Sequence, residues 1–163
     1  LKIIIYSLKN IKMKKILIAF AFILFISCGD DDNEEVSYVA QNETEIANYI
    51  ETNNLNAQRS DSGLYYVINE LGTGEQATES SNVTVTYKGY LTNETIFDES
   101  PTQGSTFNLQ NTIVGFKEGL TYFKEGGNGV LLIPAHLAYG NINQPSIPAG
   151  AVIIFDIGLI SVN

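Results

Sequence analysis

Apolar residues change their spacing along this chain, and the changes mark its elements. Between Asn111 and Lys124, Ile113, Phe116, Leu120 and Phe123 fall at i, i+3, i+7 and i+10, which predicts a helix of about three turns with one buried stripe. Gly115 and Gly119 each weaken such a helix by roughly 1 kcal/mol against alanine, so it needs a partner to pack on. Strict alternation follows a different rule upstream, where Val83, Val85 and Tyr87 predict one face of a strand and Gly89 interrupts it as a bulge would. Leu91–Asp98 reads as a hairpin returning through polar residues. Leu64–Ile68, Thr106–Leu109, Val130–Ile133 (stopped by Pro134) and Ala151–Ile160 complete the strands, the last through Ile153, Phe155, Ile157 and Leu159. A second amphipathic helix is expected over Glu43–Leu55, with Ile46, Tyr49 and Ile50 on one side and Asn53, Asn54 and Asn56 ending it. The sum is an α+β domain: five or six antiparallel strands wrapped around one short helix, with an extra helix at the N-terminal side.

The first 27 residues read differently. Met13-Lys14-Lys15 followed by the apolar run Ile16–Ser27 has the charged and hydrophobic regions of an export signal, with translation expected to start at Met13. Phe25-Ile26-Ser27-Cys28 resembles a bacterial lipobox, which implies a lipid on Cys28 and an outer-membrane lipoprotein of the cell envelope. The acidic run Asp30–Glu35 reads as a solvated tether, and it also resembles the acidic export tag of some Bacteroidetes surface lipoproteins. The expected organisation is therefore a signal at 1–27, a lipidated acidic tether at 28–42, a helix and turn at 43–62, and the main domain at 63–163.

Charge narrows the chemistry. Five of the nine basic residues lie in the leader, so residues 28–163 hold four against all 18 acids, a formal charge of −14 compared with −9 for the whole chain. No basic face remains for a nucleic-acid backbone. One cysteine excludes an intrachain disulfide, and a lone His136 argues against both a zinc centre and a histidine-dependent triad. Gly72-Thr73-Gly74 and Glu125–Gly129 lead into turns and strands instead of a helix, so neither is a phosphate cradle. What remains is a set of aromatic residues from separate elements: Tyr87, Phe97, Phe107, Phe116, Tyr139 and Phe155. Any one of them alone is ordinary core. Two features point the set towards a site: Phe97 is followed directly by the carboxylate Asp98, and Tyr139 lies in a Pro/Gly-rich loop.

From Val83 to Val162 the chain resembles the FKBP-type peptidyl-prolyl isomerases. The resemblance is carried by Val83–Leu91, Phe97-Asp98-Glu99-Ser100, Ile113–Leu120, Ile133-Pro134 with Leu137–Gly140, and Ile147-Pro148 with Phe155-Asp156, in the family's order. It implies a half-barrel around the short helix and an activity on X-Pro bonds of polypeptides, with no cofactor. It also implies roles for single residues. Tyr87, Phe97, Phe107 and Phe155 would wall the pocket and Phe116 would floor it. Ile113 would offer a backbone N–H to a substrate carbonyl, and Asp98 would sit beside the carbonyl preceding the proline. Tyr139 would supply a hydroxyl, and Ile147 an apolar contact from the loop above.

Departures from the family pattern set expectations of their own. Phe116 stands where many members have tryptophan, Leu109 replaces a frequent aromatic, Thr112 a usual valine, Gly158 a common acid, and Asn141–Ser146 aligns poorly. Activity at or below the family norm and weak macrolide binding follow. The alternative reading is a non-catalytic module that holds proline-containing segments of an envelope partner in the same pocket. Asp98 and Tyr139 favour the enzyme, because burial alone needs neither polar group.

Overall fold

The computed structural model describes residues 38–163. The export signal, Cys28 and the acidic run lie outside them. In chain order the elements are α1 (Val39–Thr52), β1 (Gln58–Arg59), β2 (Tyr65–Glu70), β3 (Asn82–Leu91), β4 (Ile96–Glu99), β5 (Ser105–Asn108), α2 (Val114–Leu120), β6 (Asn128–Ile133) and β7 (Ile153–Val162). All strands pair antiparallel in one sheet of order β1-β2-β6-β7-β3-β4, with β5 also on β3. The sheet thus has seven strands where five or six were expected. The addition is β1, two residues long, in a stretch whose polar composition carries no strand pattern. β4 and β5 share one edge of β3, β4 pairing with Lys88–Tyr90 and β5 with Asn82–Val85.

One face of the sheet is covered by α2 and the main core, and the other is covered by α1 only around Leu132 and Ile154. Leu131, Ile133, Ile153, Phe155, Ile157 and Leu159 point to α2 and the main core, whereas Leu132 and Ile154 point to α1. Val130–Ile133 of β6 and Ile153–Phe155 of β7, covered on both sides, read as apolar runs for that reason, whereas Asp156–Ile160 of β7 returns to alternation, with Asp156 and Ile160 exposed. Ile46 of α1 is fully buried against Leu132, Val152 and Ile154, with Tyr49 and Ile50 beside it. Among the described residues no helix is long and apolar enough to cross a membrane.

Both helices differ from their expected bounds. α1 begins at Val39 and ends at Thr52, where Asn54 takes a positive φ of 52°. α2 is seven residues long, not fourteen. Leu109–Asn111 forms a separate 3-10 turn, its first free N–H satisfied by the Asn108 side chain at 2.9 Å, and Thr112 and Ile113 are extended. The stripe is buried all the same: Phe116, Leu120 and Phe123 enter the core, Phe123 from the turn after the helix. The glycines that weaken α2 also let it sit close to the sheet. A Cβ on Gly119 would lie 2.6 Å from Leu131 Cδ1, and one on Gly115 would overlap Ile133. Packing on β6 outweighs propensity here.

A surface cluster ties α1 to the β1–β2 ribbon. Arg59 Nη2 donates to Glu43 Oε1 at 2.6 Å, the Tyr65 hydroxyl donates to Glu43 Oε2 at 2.7 Å, and the guanidinium lies 5.6 Å from the Tyr65 ring centroid. The bond from Arg59, followed by that from Tyr65, holds the Glu43 carboxyl below the usual range. A lowered carboxyl contributes stability that is complete above its unfolded pKa and is lost as pH falls through its folded one. Glu43→Gln is therefore expected to lower Tm by a few degrees at neutral pH, the scale of an exposed ion pair. In thermal melts from pH 7 to 2.5 the gap should close below about pH 4. A gap that persists at pH 2.5 would refute the ionic explanation.

Candidate functional site

Six parts of the chain converge on one concavity beside α2. Alternation along β3 turns Val83 and Val85 into the core and brings Tyr87 out at its margin. Phe155, paired in register with Gly89 across β3 and β7, lies next to it. β5 supplies Phe107, α2 supplies Phe116, and the extended residue before α2 is Ile113. Asp98 comes from β4 and Tyr139 from the β6–β7 loop. These seven, with Asn111 and Thr112, line a pocket of about 380 Å³. Phe97 and Ile147 line an adjoining groove of about 290 Å³ with Gln144, Pro145 and Ser146, and Asp98, Tyr139 and Phe155 border both spaces. All nine expected site residues thus come together in two contiguous hollows.

The rings meet mostly edge to face, with Phe107 tilted on Phe116 at 51°. Phe116 lies 5.0 Å from Phe155 and 6.1 Å from Tyr87, Phe97 lies 5.5 Å from Phe155, and Phe107 lies 6.0 Å from Phe116. Edge-to-face pairs set the positive edge of one ring on the negative face of the next, which favours these arrangements over a face-to-face stack. Phe116 is only 4% exposed, so its ring is fixed by core contacts while one part faces the pocket.

Polar groups are few. Among the described residues, Asp98 is the only carboxylate lining the larger pocket, and no lysine or arginine lines it. Asp98 Oδ2 accepts from the Tyr87 hydroxyl at 3.0 Å and Oδ1 from the Glu99 N–H at 2.9 Å. Burial first, and then the hydrogen bond to Asp98, push the Tyr87 phenol above its ordinary pKa, so it stays protonated and keeps donating. Neither the Tyr139 hydroxyl nor the Ile113 N–H has a partner among the described residues, which leaves two donors free for a ligand. Among those residues no group of three or more His, Cys, Asp or Glu side chains is placed to hold a metal.

Three contributors lie outside the set expected from sequence. Asn111 and Thr112 line the pocket because α2 starts later than the stripe suggested, which leaves them at its edge, ahead of the helix. Gly89 shapes the site by what it lacks: a Cβ there would come within 2.7 Å of both Phe97 and Phe155. Its break in the alternation was the visible signal, and the register does shift between Gly89 and Tyr90. The close approach of two rings is the part that one strand's sequence does not contain.

Comparison with known proteins agrees with this architecture. Residues 73–160 match the family model described as FKBP-type peptidyl-prolyl cis-trans isomerase. The FKBP-type peptidyl-prolyl cis-trans isomerase FkpA of Buchnera aphidicola subsp. Schizaphis graminum is 44% identical over 107 residues, which is 64% of this chain and 42% of the relative. The crystal structure of FkpA from Escherichia coli superposes with a TM-score of 0.68 at 37% identity, covering 77% of this chain and 61% of that one. A peptidyl-prolyl cis-trans isomerase from Pseudomonas syringae pv. tomato DC3000 gives a TM-score of 0.69 at 28% identity, covering 77% and 93%. The chain spans about two fifths of the length of the curated relatives it matches.

Proposed function

The chain belongs to the FKBP-type peptidyl-prolyl cis-trans isomerase family, and from that premise we propose that it catalyses cis–trans isomerisation of X-Pro bonds in polypeptides. The observation that carries this reading is the aromatic pocket in which, among the described residues, Asp98 is the one carboxylate and the Tyr139 hydroxyl has no partner. An amide resists rotation by roughly 18–20 kcal/mol because resonance keeps it planar, with positive charge on nitrogen and negative charge on oxygen. Lowering that barrier needs no nucleophile and no cofactor. A pyrrolidine ring resting on Phe116 between Tyr87, Phe107 and Phe155 leaves water, and the charge-separated planar form loses more solvation there than the twisted one. Asp98, beside the carbonyl preceding the proline, opposes the same negative oxygen. The Ile113 N–H and the Tyr139 hydroxyl hold neighbouring carbonyls so that rotation occurs about one bond. Ile147 and Phe97, in the adjoining groove, take the flanking residue.

Substrates are then proline-containing segments of envelope proteins, and the enzyme is a lipid-anchored folding catalyst. The leader pattern ending at Cys28 supports that location. Weak macrolide binding belongs to the same reading, because Phe116 gives a smaller floor than an indole and no ring N–H.

Cis–trans relaxation of short X-Pro peptides tests the proposal. The uncatalysed process takes tens of seconds to minutes at 25 °C, and purified protein should shorten it in proportion to its concentration. No acceleration by folded protein over several X residues would leave the non-catalytic binding module, which the loss of the family's tryptophan at Phe116 favours. Tight binding in a parallel macrolide titration would overturn the role given to that floor.

A further inference from the structure

Tyr139 lies in a 19-residue connection between β6 and β7, in which the 3-10 turn Ala135–Leu137 is the one helical segment. Connections of this length are uncommon in a compact domain unless something else fixes them. Here a ring of hydrogen bonds does so. The Gly140 N–H donates to the Ala135 carbonyl at 2.8 Å, and the Gly150 N–H donates to the Gly140 carbonyl at 2.8 Å. The circuit would stop there but for Asn42, on α1. Its Nδ2 donates to the Gly150 carbonyl at 2.9 Å, and its Oδ1 accepts from the Ala135 N–H at 2.8 Å. Four bonds therefore close on themselves through Asn42, Ala135, Gly140 and Gly150, and Gly140 directly follows Tyr139.

Several facts separate this from an ordinary helix contact. Asn42 is 1% exposed and is the one polar side chain in the buried core of the described residues. The side-chain amide supplies a donor and an acceptor from one carbon, and both are used at good distances. Gly150 has a φ of +75° and packs its bare Cα on the Tyr38 ring, at the start of α1, while Gly140 has a φ of +59°. The backbone bends at both glycines are thus fixed by the ring and by α1.

We propose that Asn42 is a positioning residue for Tyr139: it closes the ring that fixes the backbone beside that tyrosine, and it makes α1 part of the site's scaffold. This inference rests on the isomerase reading for its kinetic consequence, but not for its structural one. α1 then is more than a spacer between a membrane anchor and an autonomous domain beginning near residue 63.

The test measures amide hydrogen exchange and kcat/KM for X-Pro peptides on the purified protein, with Asn42→Ala, Asn42→Asp, Tyr139→Phe, the double variant Asn42→Ala/Tyr139→Phe, and Ile46→Val as a control on the same helix. In Asn42→Ala, exchange at Gly140 and Gly150 should rise relative to that at Leu131 and Phe155, and kcat/KM should fall about tenfold, the scale of a misplaced contact group. In the Tyr139→Phe background the same substitution should cost less than about twofold, because the group it positions is gone. Ile46→Val should lower Tm yet leave kcat/KM within about twofold. Asn42→Asp keeps the acceptor for Ala135 but sets a carboxylate against the Gly150 carbonyl. Its activity relative to wild type should recover as pH falls and the introduced carboxyl becomes a donor. That pH profile also decides the matter if Asn42→Ala does not fold. Unchanged exchange at Gly140 and Gly150, or independent multiplying effects of Asn42→Ala and Tyr139→Phe, overturns the proposal. If wild type has no isomerase activity, the isomerase reading falls, and the exchange data still decide whether Asn42 holds the Tyr139 loop.

Discussion

Asp98→Ala is expected to lower kcat/KM for X-Pro peptides about ten- to a hundredfold, the equivalent of the ~1.5–3 kcal/mol carried by a hydrogen bond to a charged group. Stability should hardly move, because Asp98 is exposed and lies on a short edge strand. The effect is large because Asp98 borders both hollows and is the only carboxylate lining the larger one among the described residues. It also accepts from the Tyr87 hydroxyl, so its loss loosens a pocket wall besides removing the charge. A second variant separates the two contributions: Asp98→Asn keeps an acceptor for Tyr87 without the negative charge. Equal losses in both variants would assign the effect to charge, and near-wild-type activity in Asp98→Asn would assign it to the hydrogen bond. A loss below about threefold in Asp98→Ala, in protein of unchanged Tm, would remove this residue from the mechanism.

The second large effect concerns the fold. Phe123→Ala should cost about 3–5 kcal/mol, the range for deleting a buried phenylalanine and leaving a cavity. Phe123 is 0% exposed, and its ring covers Gly129 so closely that a Cβ there would lie 2.8 Å from it. Gly129 has no side chain with which to refill the space. Against a total of about 5–15 kcal/mol for a typical domain, this is a large share. Phe123 lines neither hollow, so the fraction that remains folded should isomerise peptides at the wild-type rate. Chemical denaturation together with activity at low denaturant checks both parts. A midpoint shift worth less than about 1 kcal/mol would mean that the core closes over the gap.

Phe123 also illustrates what could be seen in the sequence. Its place in a 3.6-residue stripe marked it as buried, and it is, but the same stripe gave α2 twice its length. Periodicity reports which side chains face a core, and a turn that follows a helix closely preserves that facing after the hydrogen bonds have changed. β6 was legible as a short apolar run, and β7 through the alternation of Ile153, Phe155, Ile157 and Leu159. β1 was not, because two residues paired at an edge bury nothing that could leave a pattern. The aromatic positions and Asp98 stood out by their neighbours: a carboxylate after a phenylalanine, a tyrosine in a loop of glycines and prolines. Asn42 gave no such sign. Its two partners are 93 and 108 residues away, and an asparagine near a helix start reads locally as a capping or turn residue. Long-range hydrogen bonds of this kind depend on the folded topology and leave no periodic trace.

The order of strands in the sheet has a consequence in time. β3 lies between β7 on one side and β4 with β5 on the other, and β7 in turn separates β3 from β6. The first contact in the β3–β7 register, Leu91 with Ile153, already spans 62 residues, and the last, Val83 with Val162, spans 79. Until residues 153–162 have been synthesised, the β4-β3-β5 part and the β1-β2-β6 part have no strand to join them, and α2 has half a sheet to pack on. Chains emerge N-terminus first, at about 5–20 residues per second, so assembly comes late and is dominated by distant pairings that form slowly. A growing chain of this topology therefore cannot close its sheet until residues 153–162 are made, and folding of the whole domain should wait on that strand.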